Sequence, residues 1–274
     1  MGCFYTNVAA VAAVPRLSAA LPVPAEYRQQ DQPEGVPPLS LTGERTLPDV
    51  PAENYWYQRH LVVYEWIAER CRGLDVVDMA CGEGYGTDVL ARRAARVTGV
   101  DANPEAHEHA RLRYTRPGVS FACDLIDTFE GPCDAVVFLQ TIEHVQDPRA
   151  VLRHLKGMLR PGGTAYVSTP NVLTLAPKGA DRSGNPWHVY EYRAREFREL
   201  CEACFDDVEV SGLFHARKLR AQDLAIRAGW DSLHPRLGIT KPFYDRFVPA
   251  ISVADFALRP GPLDRALDFL AVLR

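Results

Sequence analysis

The chain has 274 residues, long enough for one large α/β domain, and 47% apolar with 24% charged residues is a globular composition rather than a disordered or fibrous one. A net charge of −4 excludes an extended nucleic-acid groove, which needs a basic surface, and no apolar run reaches the roughly 18 residues of a membrane span. Of 31 basic residues only Lys156, Lys178, Lys218 and Lys241 are lysine, an arginine bias that points to a GC-rich bacterial genome.

The first 25 residues are rich in alanine and valine. No positive charge precedes that stretch, and Pro15, Pro22 and Pro24 interrupt it, so no signal peptide is expected. Met1-Gly2 with Thr6 fits the loose myristoylation pattern, but an untethered N-terminus is the expectation. Seven scattered cysteines make no disulfide framework, and Cys201 and Cys204 lack a second ligand pair for structural zinc. The pair reads as part of a half-buried helix face, and the compartment as a reducing cytoplasm. Residues 1–50 hold seven of the 21 prolines and show no sustained periodicity. Residues 1–40 are expected to form a tail, disordered or draped over the body, and 41–274 a single domain.

From Glu53 the pattern changes. Tyr55, Trp56, His60, Val63, Tyr64 and Ile67 recur at helical spacing and predict a helix over Asn54–Cys71. Apolar runs and helical stretches then alternate: strand Asp75–Met79, helix Gly84–Ala95, strand Arg96–Val100, helix Pro104–Tyr114, strand Val119–Ala122 and strand Cys133–Leu139. Helix Pro148–Leu159 is stopped by Pro161-Gly162-Gly163, and Thr164–Ser168 is the fifth strand. Continuously apolar strands separated by helices imply a mostly parallel sheet with helices on both faces, preceded by a helical extension. Arg193–Cys204 is a further helix and Val208–Phe214 a sixth strand. Residues 215–262 break the alternation and read as an insertion, a substrate cover or a dimer contact. Leu267–Leu273 is ambiguous by period and is taken as the seventh and last strand, because a sheet of this kind closes with one.

The stretch Asp78-Met79-Ala80-Cys81-Gly82-Glu83-Gly84-Tyr85-Gly86 follows the first strand directly and opens a helix. Glycine there permits positive φ and close approach of the backbone to a ligand, and the following helix start offers N–H groups. A dinucleotide fingerprint counted from Gly82 would need Gly or Ala at its sixth position, which is Thr87, so that fit fails. Asp101 closes the second strand 19 positions beyond Gly82, the approximate spacing of an acid that grips ribose hydroxyls.

The small-x-Gly-x-Gly pattern from Ala80 to Gly84, with Asp78 ahead of it, resembles the first motif of class I S-adenosylmethionine-dependent methyltransferases, with Ala80 in place of the usual first glycine. The resemblance implies a Rossmann-like seven-stranded sheet. It implies a cofactor site formed by Asp78, Ala80, Gly82, Gly84 and Asp101, with Asp78 accepting from the ammonium. Asp124 and Leu125 after the third strand would hold adenine, and Gln140 after the fourth would lie beside the methyl donor.

Methyl transfer is a displacement on carbon, so the protein must align the acceptor and, for a hydroxyl, assist loss of its proton. His144 suits a base by its ordinary pKa, while capping of the next helix is the plainer reading of Glu143-His144. Gln140-Thr141-Ile142-Glu143-His144 resembles the metal-binding stretch of ubiquinone-pathway O-methyltransferases, which carry a carboxylate where Gln140 stands. That implies magnesium at Glu143 and His144. His188 and Glu191, in the segment begun by Asn185-Pro186-Trp187-His188, either face the acceptor or are satisfied by local bonds, and Trp187 either stacks on a sugar or packs.

Further segments resemble the actinobacterial sugar O-methyltransferases, the group that includes the methylmannose polysaccharide 1-O-methyltransferase. They are Leu41-Thr42-Gly43-Glu44-Arg45-Thr46-Leu47-Pro48, Glu53-Asn54-Tyr55-Trp56-Tyr57-Gln58-Arg59-His60, Asn185-Pro186-Trp187-His188, Gly212-Leu213-Phe214-His215 and Val253-Ala254-Asp255-Phe256, together with the final apolar segment. The resemblance runs from about residue 40 to the C-terminus. It implies magnesium-assisted methylation of a saccharide hydroxyl, with Arg59 and His60 reaching the methionyl carboxylate and His144, Glu143 and His188 at the reacting hydroxyl. Methylation of a phenolic or other natural-product scaffold is the alternative, and a non-catalytic cofactor-binding regulator a third. The partner expected is a small-molecule or oligosaccharide acceptor, with no nucleic acid and no membrane, and a homodimer is compatible with the insertion.

Overall fold

A computed structural model describes residues 28–42, 45–177, 179–227 and 241–274. The expected tail up to residue 27, Gly43-Glu44 and residues 228–240 of the insertion lie outside the described residues. From Arg28 the chain lies against the body. Arg28 bridges to Ser40, and Gln29, Val36 and Leu39 are buried.

The first helix, α1, spans Asn54–Ala68 and ends one turn before the expected Cys71. Strand β1 (Asp75–Met79) leads to α2 (Tyr85–Leu90), which is shorter than the helical pattern. The chain leaves the helix there so that Ala95 N–H reaches the Leu74 carbonyl at 2.9 Å and enters β2 (Arg96–Asp101) in register. Helix α3 (Pro104–Arg113) is capped by Asn103, which accepts from Ala106 N–H at 2.9 Å, with proline at the position where a missing N–H is harmless. Strands β3 (Val119–Cys123) and β4 (Cys133–Leu139) follow, then α4 (Pro148–Met158), capped by Asp147, and β5 (Leu159–Pro170). Pro161-Gly162-Gly163 lies inside β5 rather than ahead of it. Leu159 pairs with Cys133 and Thr164 with Ala135, so the turn residues bulge out of the ladder.

The remaining elements are α5 (Val172–Leu175), α6 (Ala194–Glu202), β6 (Val208–His215), α7 (Arg217–Arg227), α8 (Lys241–Phe247), β7 (Phe256–Arg259) and β8 (Asp268–Leu273). The sheet order is β3-β2-β1-β4-β5-β8-β6-β7. The first five strands in that order are mutually parallel, and β8 runs antiparallel between β5 and β6. Among the described residues the sheet therefore has eight strands, not seven. The extra one, β7, comes from the 215–262 insertion and pairs antiparallel with β6 at the edge. It is four residues long and runs into Pro260-Gly261-Pro262, too short to leave a period-two signal.

Alternate strand residues feed two cores. Val76, Ala135, Val137, Leu270 and Val272 face α1 and α2, whereas Val77, Val136, Phe138, Phe269 and Ala271 face α4 and α6. That is why these strands are apolar along their whole length. Among the described residues no helix is long and apolar enough to cross a membrane.

One buried ion pair joins α1 to the sheet. Arg59 donates from Nε to Asp268 at 2.7 Å and from Nη2 at 2.5 Å, and Nη2 also reaches the Leu267 carbonyl at 3.0 Å. Burial opposes the charge on Arg59, but Asp268 and Tyr55 together outweigh it and hold the guanidinium more firmly protonated than usual. Removing one partner strands the other. Arg59→Ala is expected to lower the unfolding free energy by about 3–5 kcal/mol in urea titrations, and Arg59→Met with Asp268→Leu to recover most of it. Equal losses in the two variants would refute this role.

Candidate active site

Carboxyl ends of the parallel strands share one edge of the sheet, and the strand order reverses between β1 and β4. Ligands bind at such switch points in open α/β sheets. A cavity of about 460 Å³ opens there. Its floor is the turn after β1, its sides are the ends of β2, β4 and β5, and α1 contributes His60, Val63 and Tyr64.

The turn is built from left-handed residues. Ala80, Gly82 and Gly84 have φ of 58°, 57° and 97°. Ala80 and Gly82 line the cavity. Gly84 does not: a methyl group there would lie 2.8 Å from Ala110 Cβ and 3.1 Å from Tyr114 and Phe121, so its glycine serves packing of α2 against α3 and β3. Asp101 also lines the cavity. Its carboxylate accepts from Gly82 N–H at 2.8 Å and Asn103 N–H at 2.9 Å, tying the ends of β1 and β2 together.

Asp78 sits behind the turn, fully buried. It accepts from Tyr64 Oη at 3.2 Å and Thr87 Oγ1 at 2.7 Å, and burial pushes its pKa up to about 7. It positions the turn and is not part of the cavity wall. Arg59 is likewise outside the wall, its guanidinium taken by Asp268. His60 does line the cavity, with Nδ1 3.2 Å from Thr46 Oγ1, and burial lowers its pKa to about 4, so the ring is neutral. Asp124 and Leu125 are not among the residues that line the cavity; they stand on the loop after β3. Asp124 accepts from Leu125 N–H at 2.8 Å and Thr128 Oγ1 at 2.5 Å, and its own N–H reaches the Asp101 carbonyl at 3.2 Å.

At the end of β4, Gln140 lines the cavity in a left-handed conformation, φ 51°, held by Ser168 through its backbone N–H and side-chain amide. Strain of this kind at a non-glycine residue clusters at functional sites. Just beyond it, Glu143, His144 and His188 place one potential ligand atom each within 4.8 Å of one another. Glu143 is buried, and its Oε2 accepts from Thr169 Oγ1 at 3.1 Å. His144 Nδ1 faces the Trp187 carbonyl at 3.1 Å, and His188 Nδ1 faces Glu191 Oε1 at 2.8 Å. Both partners accept, so Nδ1 of each ring is the donating nitrogen and Nε2 turns towards the cluster, where that of His144 stands 4.0 Å from Glu143 Oε1. This is the orientation that outer carboxylates and carbonyls impose on metal-binding histidines. Glu191 is in turn fixed by Ser183 N–H at 2.8 Å.

Pairing of His144 with His188, 44 positions apart, depends on the loop after β5 folding back. Val189 and Tyr190 N–H both donate to the Glu143 carbonyl, at 2.9 and 3.1 Å. The rim beside them exposes Trp187 (62%) and Tyr190 (45%). Sequence reasoning did not select Thr42, Arg45, Thr46, Tyr64, Glu83 or Asp268, all in the cavity wall. The first three lie in a segment whose only signal is its resemblance to sugar O-methyltransferases.

Comparison with known proteins agrees with this geometry. A family model described as a methyltransferase domain matches residues 16–220. A Mycobacterium tuberculosis protein named "Probable S-adenosylmethionine-dependent methyltransferase" is 39% identical over 238 residues, 84% of this chain and 86% of the relative. A ubiquinone biosynthesis O-methyltransferase of Erwinia tasmaniensis is 35% identical over 116 residues, 39% of this chain and 48% of that protein. The crystal structure of a SAM-dependent methyltransferase of Thermotoga maritima shares the fold, with a TM-score of 0.53 at 15% identity, over 80% of this chain and 92% of that one. The left-handed turn after β1, with Asp101 at the adjoining strand end, fits S-adenosylmethionine as methyl donor, and the chain belongs to the class I S-adenosylmethionine-dependent methyltransferases.

Proposed function

We propose that the enzyme methylates a hydroxyl of a saccharide or glycosylated metabolite. The observation that carries this reading is the Glu143–His144–His188 cluster beside the cavity, under the exposed rings of Trp187 and Tyr190. Flat exposed aromatic faces suit the apolar face of a sugar, while the histidines serve its hydroxyl edge. The Erwinia relative is named an O-methyltransferase, which supports oxygen as the accepting atom.

When bound, S-adenosylmethionine supplies a methyl carbon already activated by its sulfonium. In this reading Asp101 grips the ribose hydroxyls, the loop of Asp124 and Leu125 borders the adenine, and Gln140 lies beside the reacting end. A neutral hydroxyl must lose its proton as its oxygen forms the new C–O bond. His144 is placed to take that proton on Nε2. Burial, followed by the neighbouring His188, keeps its pKa below the ordinary histidine value, while the Trp187 carbonyl pulls the other way. The ring is therefore in its basic form at neutral pH. His188, held by Glu191, is placed to orient the acceptor.

A divalent cation fits the same three residues. Glu143, His144 and His188 would hold it, and it would supply Lewis acidity that eases ionisation of the hydroxyl. Magnesium would complete its shell with water or acceptor oxygens, whereas the two imidazole nitrogens also suit manganese or cobalt. His144 Nε2 cannot bind a cation and accept a proton at once, so the two roles are separable by experiment.

Three outcomes are expected. With labelled donor, label should enter an oligosaccharide in a panel of saccharides, phenols and amines; label confined to amines would refute the hydroxyl reading, and label confined to phenols would select the scaffold alternative. Exhaustive dialysis against chelator should abolish turnover and added magnesium or manganese restore it; full activity in chelator would remove the cation and leave His144 as base. In that metal-free case, kcat/KM should fall on acidification with an apparent pKa below the ordinary histidine value, because protonation removes the base. His144→Gln should abolish that limb, with turnover lower by roughly 10²–10⁴.

A further inference from the structure

The cavity that holds the donor must neutralise a carboxylate on its amino-acid end, and neither Arg59 nor His60 serves. Arg59 is saturated by Asp268, and His60 is neutral. Among the described residues of the cavity wall, Arg45 alone carries a guanidinium or ammonium group. It stands over the turn after β1: a methyl group on Gly82 would lie 3.6 Å from Arg45 Cγ. Among the described residues no carboxylate pairs with it, although Glu83, Asp101 and Asp268 share the wall. Those three acids are engaged elsewhere: Glu83 by His109 and Tyr114, Asp101 by two backbone N–H groups, and Asp268 by Arg59.

We propose that Arg45 binds the carboxylate of the donor's methionyl part, so that the segment before α1 supplies a wall of the cofactor site. Thr42 and Thr46 flank it in the cavity. A guanidinium presents paired N–H donors that match a carboxylate in a fork, which a lysine or a helix start does not.

The segment carrying Arg45 is fastened to the glycine turn itself. Gln29 Nε2 donates to Glu83 at 2.7 Å, and His109 joins Glu83 to the Pro37 carbonyl, at 3.0 and 2.7 Å. Arg113 reaches Glu83 at 3.1 Å, Gln32 at 2.7 Å and Asp49 at 2.5 Å. Arg45 thus descends on the cavity from a strap anchored on both sides of it.

The test is calorimetric and needs no acceptor. S-adenosylhomocysteine and its decarboxylated analogue, which keeps the amine, are titrated into the wild-type enzyme and into Arg45→Gln. The wild type should bind the analogue about 10- to 100-fold more weakly, the worth of a charge-assisted pair. Arg45→Gln should lose that factor for S-adenosylhomocysteine, bind the analogue within twofold of wild type, and be partly rescued by Arg45→Lys. Equal wild-type affinity for the two ligands overturns the proposal whether or not the variants fold. So does an unchanged affinity for S-adenosylhomocysteine in Arg45→Gln, or an equal loss for both ligands, which marks a structural role.

Discussion

A single carboxylate, that of Glu83, stands between the two turn glycines Gly82 and Gly84 and has no exposed surface. A buried charge survives only where its lone pairs are filled. Glu83 accepts from Tyr85 N–H within its own turn, from His109 and Tyr114 of the α3 region, and from Gln29 ahead of α1. Both ring nitrogens of His109 face acceptors, Glu83 Oε1 at 3.0 Å and the Pro37 carbonyl at 2.7 Å, so the ring bridges the turn to the strap. The turn, the helix behind it and the strap in front of it become one hydrogen-bonded body. The left-handed residues then cost conformational freedom once, within a frame that cannot relax around them.

A second buried polar node, Arg59–Asp268, fixes α1 over the sheet where β8 begins. Between the two nodes the cavity has a rigid floor and a rigid side. Its remaining wall, around His144, is assembled by backbone hydrogen bonds from the loop after β5 to Glu143. The side formed by the β1 turn and α1 is thus built on buried polar pairs, and the side around His144 on a loop that exposes aromatic rings. Such a division suits an enzyme whose cofactor is constant and whose acceptor defines it.

Much of the fold is legible in the sequence because apolar runs and helical periods report burial directly. β4 from Ala135 and β8 from Phe269 are continuously apolar, and the structure buries them on two faces. β7 was not legible, since its four residues pair only at an edge and sit among prolines. The sequence marked cavity-lining residues where a residue acts through its backbone: Ala80, Gly82 and Gln140 line it. It was less legible where a side chain chooses among partners. Asp78 and Arg59 carry the right chemistry, yet Tyr64, Thr87 and Asp268 claim them, and only three-dimensional packing decides such competition. His188 could be named from its segment, but its approach to His144, 44 positions away, follows from the loop after β5 folding back onto Glu143.

The same competition explains how protonation is apportioned across the site. Charges that stay in the interior are matched pairwise, as at Glu83 and Asp268. Of the histidines in the cavity wall, His60 and His144 are held neutral by burial, and behind the turn burial raises Asp78 to a pKa of about 7. A sulfonium donor brings its own positive charge and loses it during transfer. Additional fixed cations beside the reacting carbon would favour the product side of that change but oppose binding of the donor. His60 and His144 thus add no proton-borne positive charge to the cavity, and among the described residues of its wall Arg45, over the β1 turn at Gly82, carries the one guanidinium.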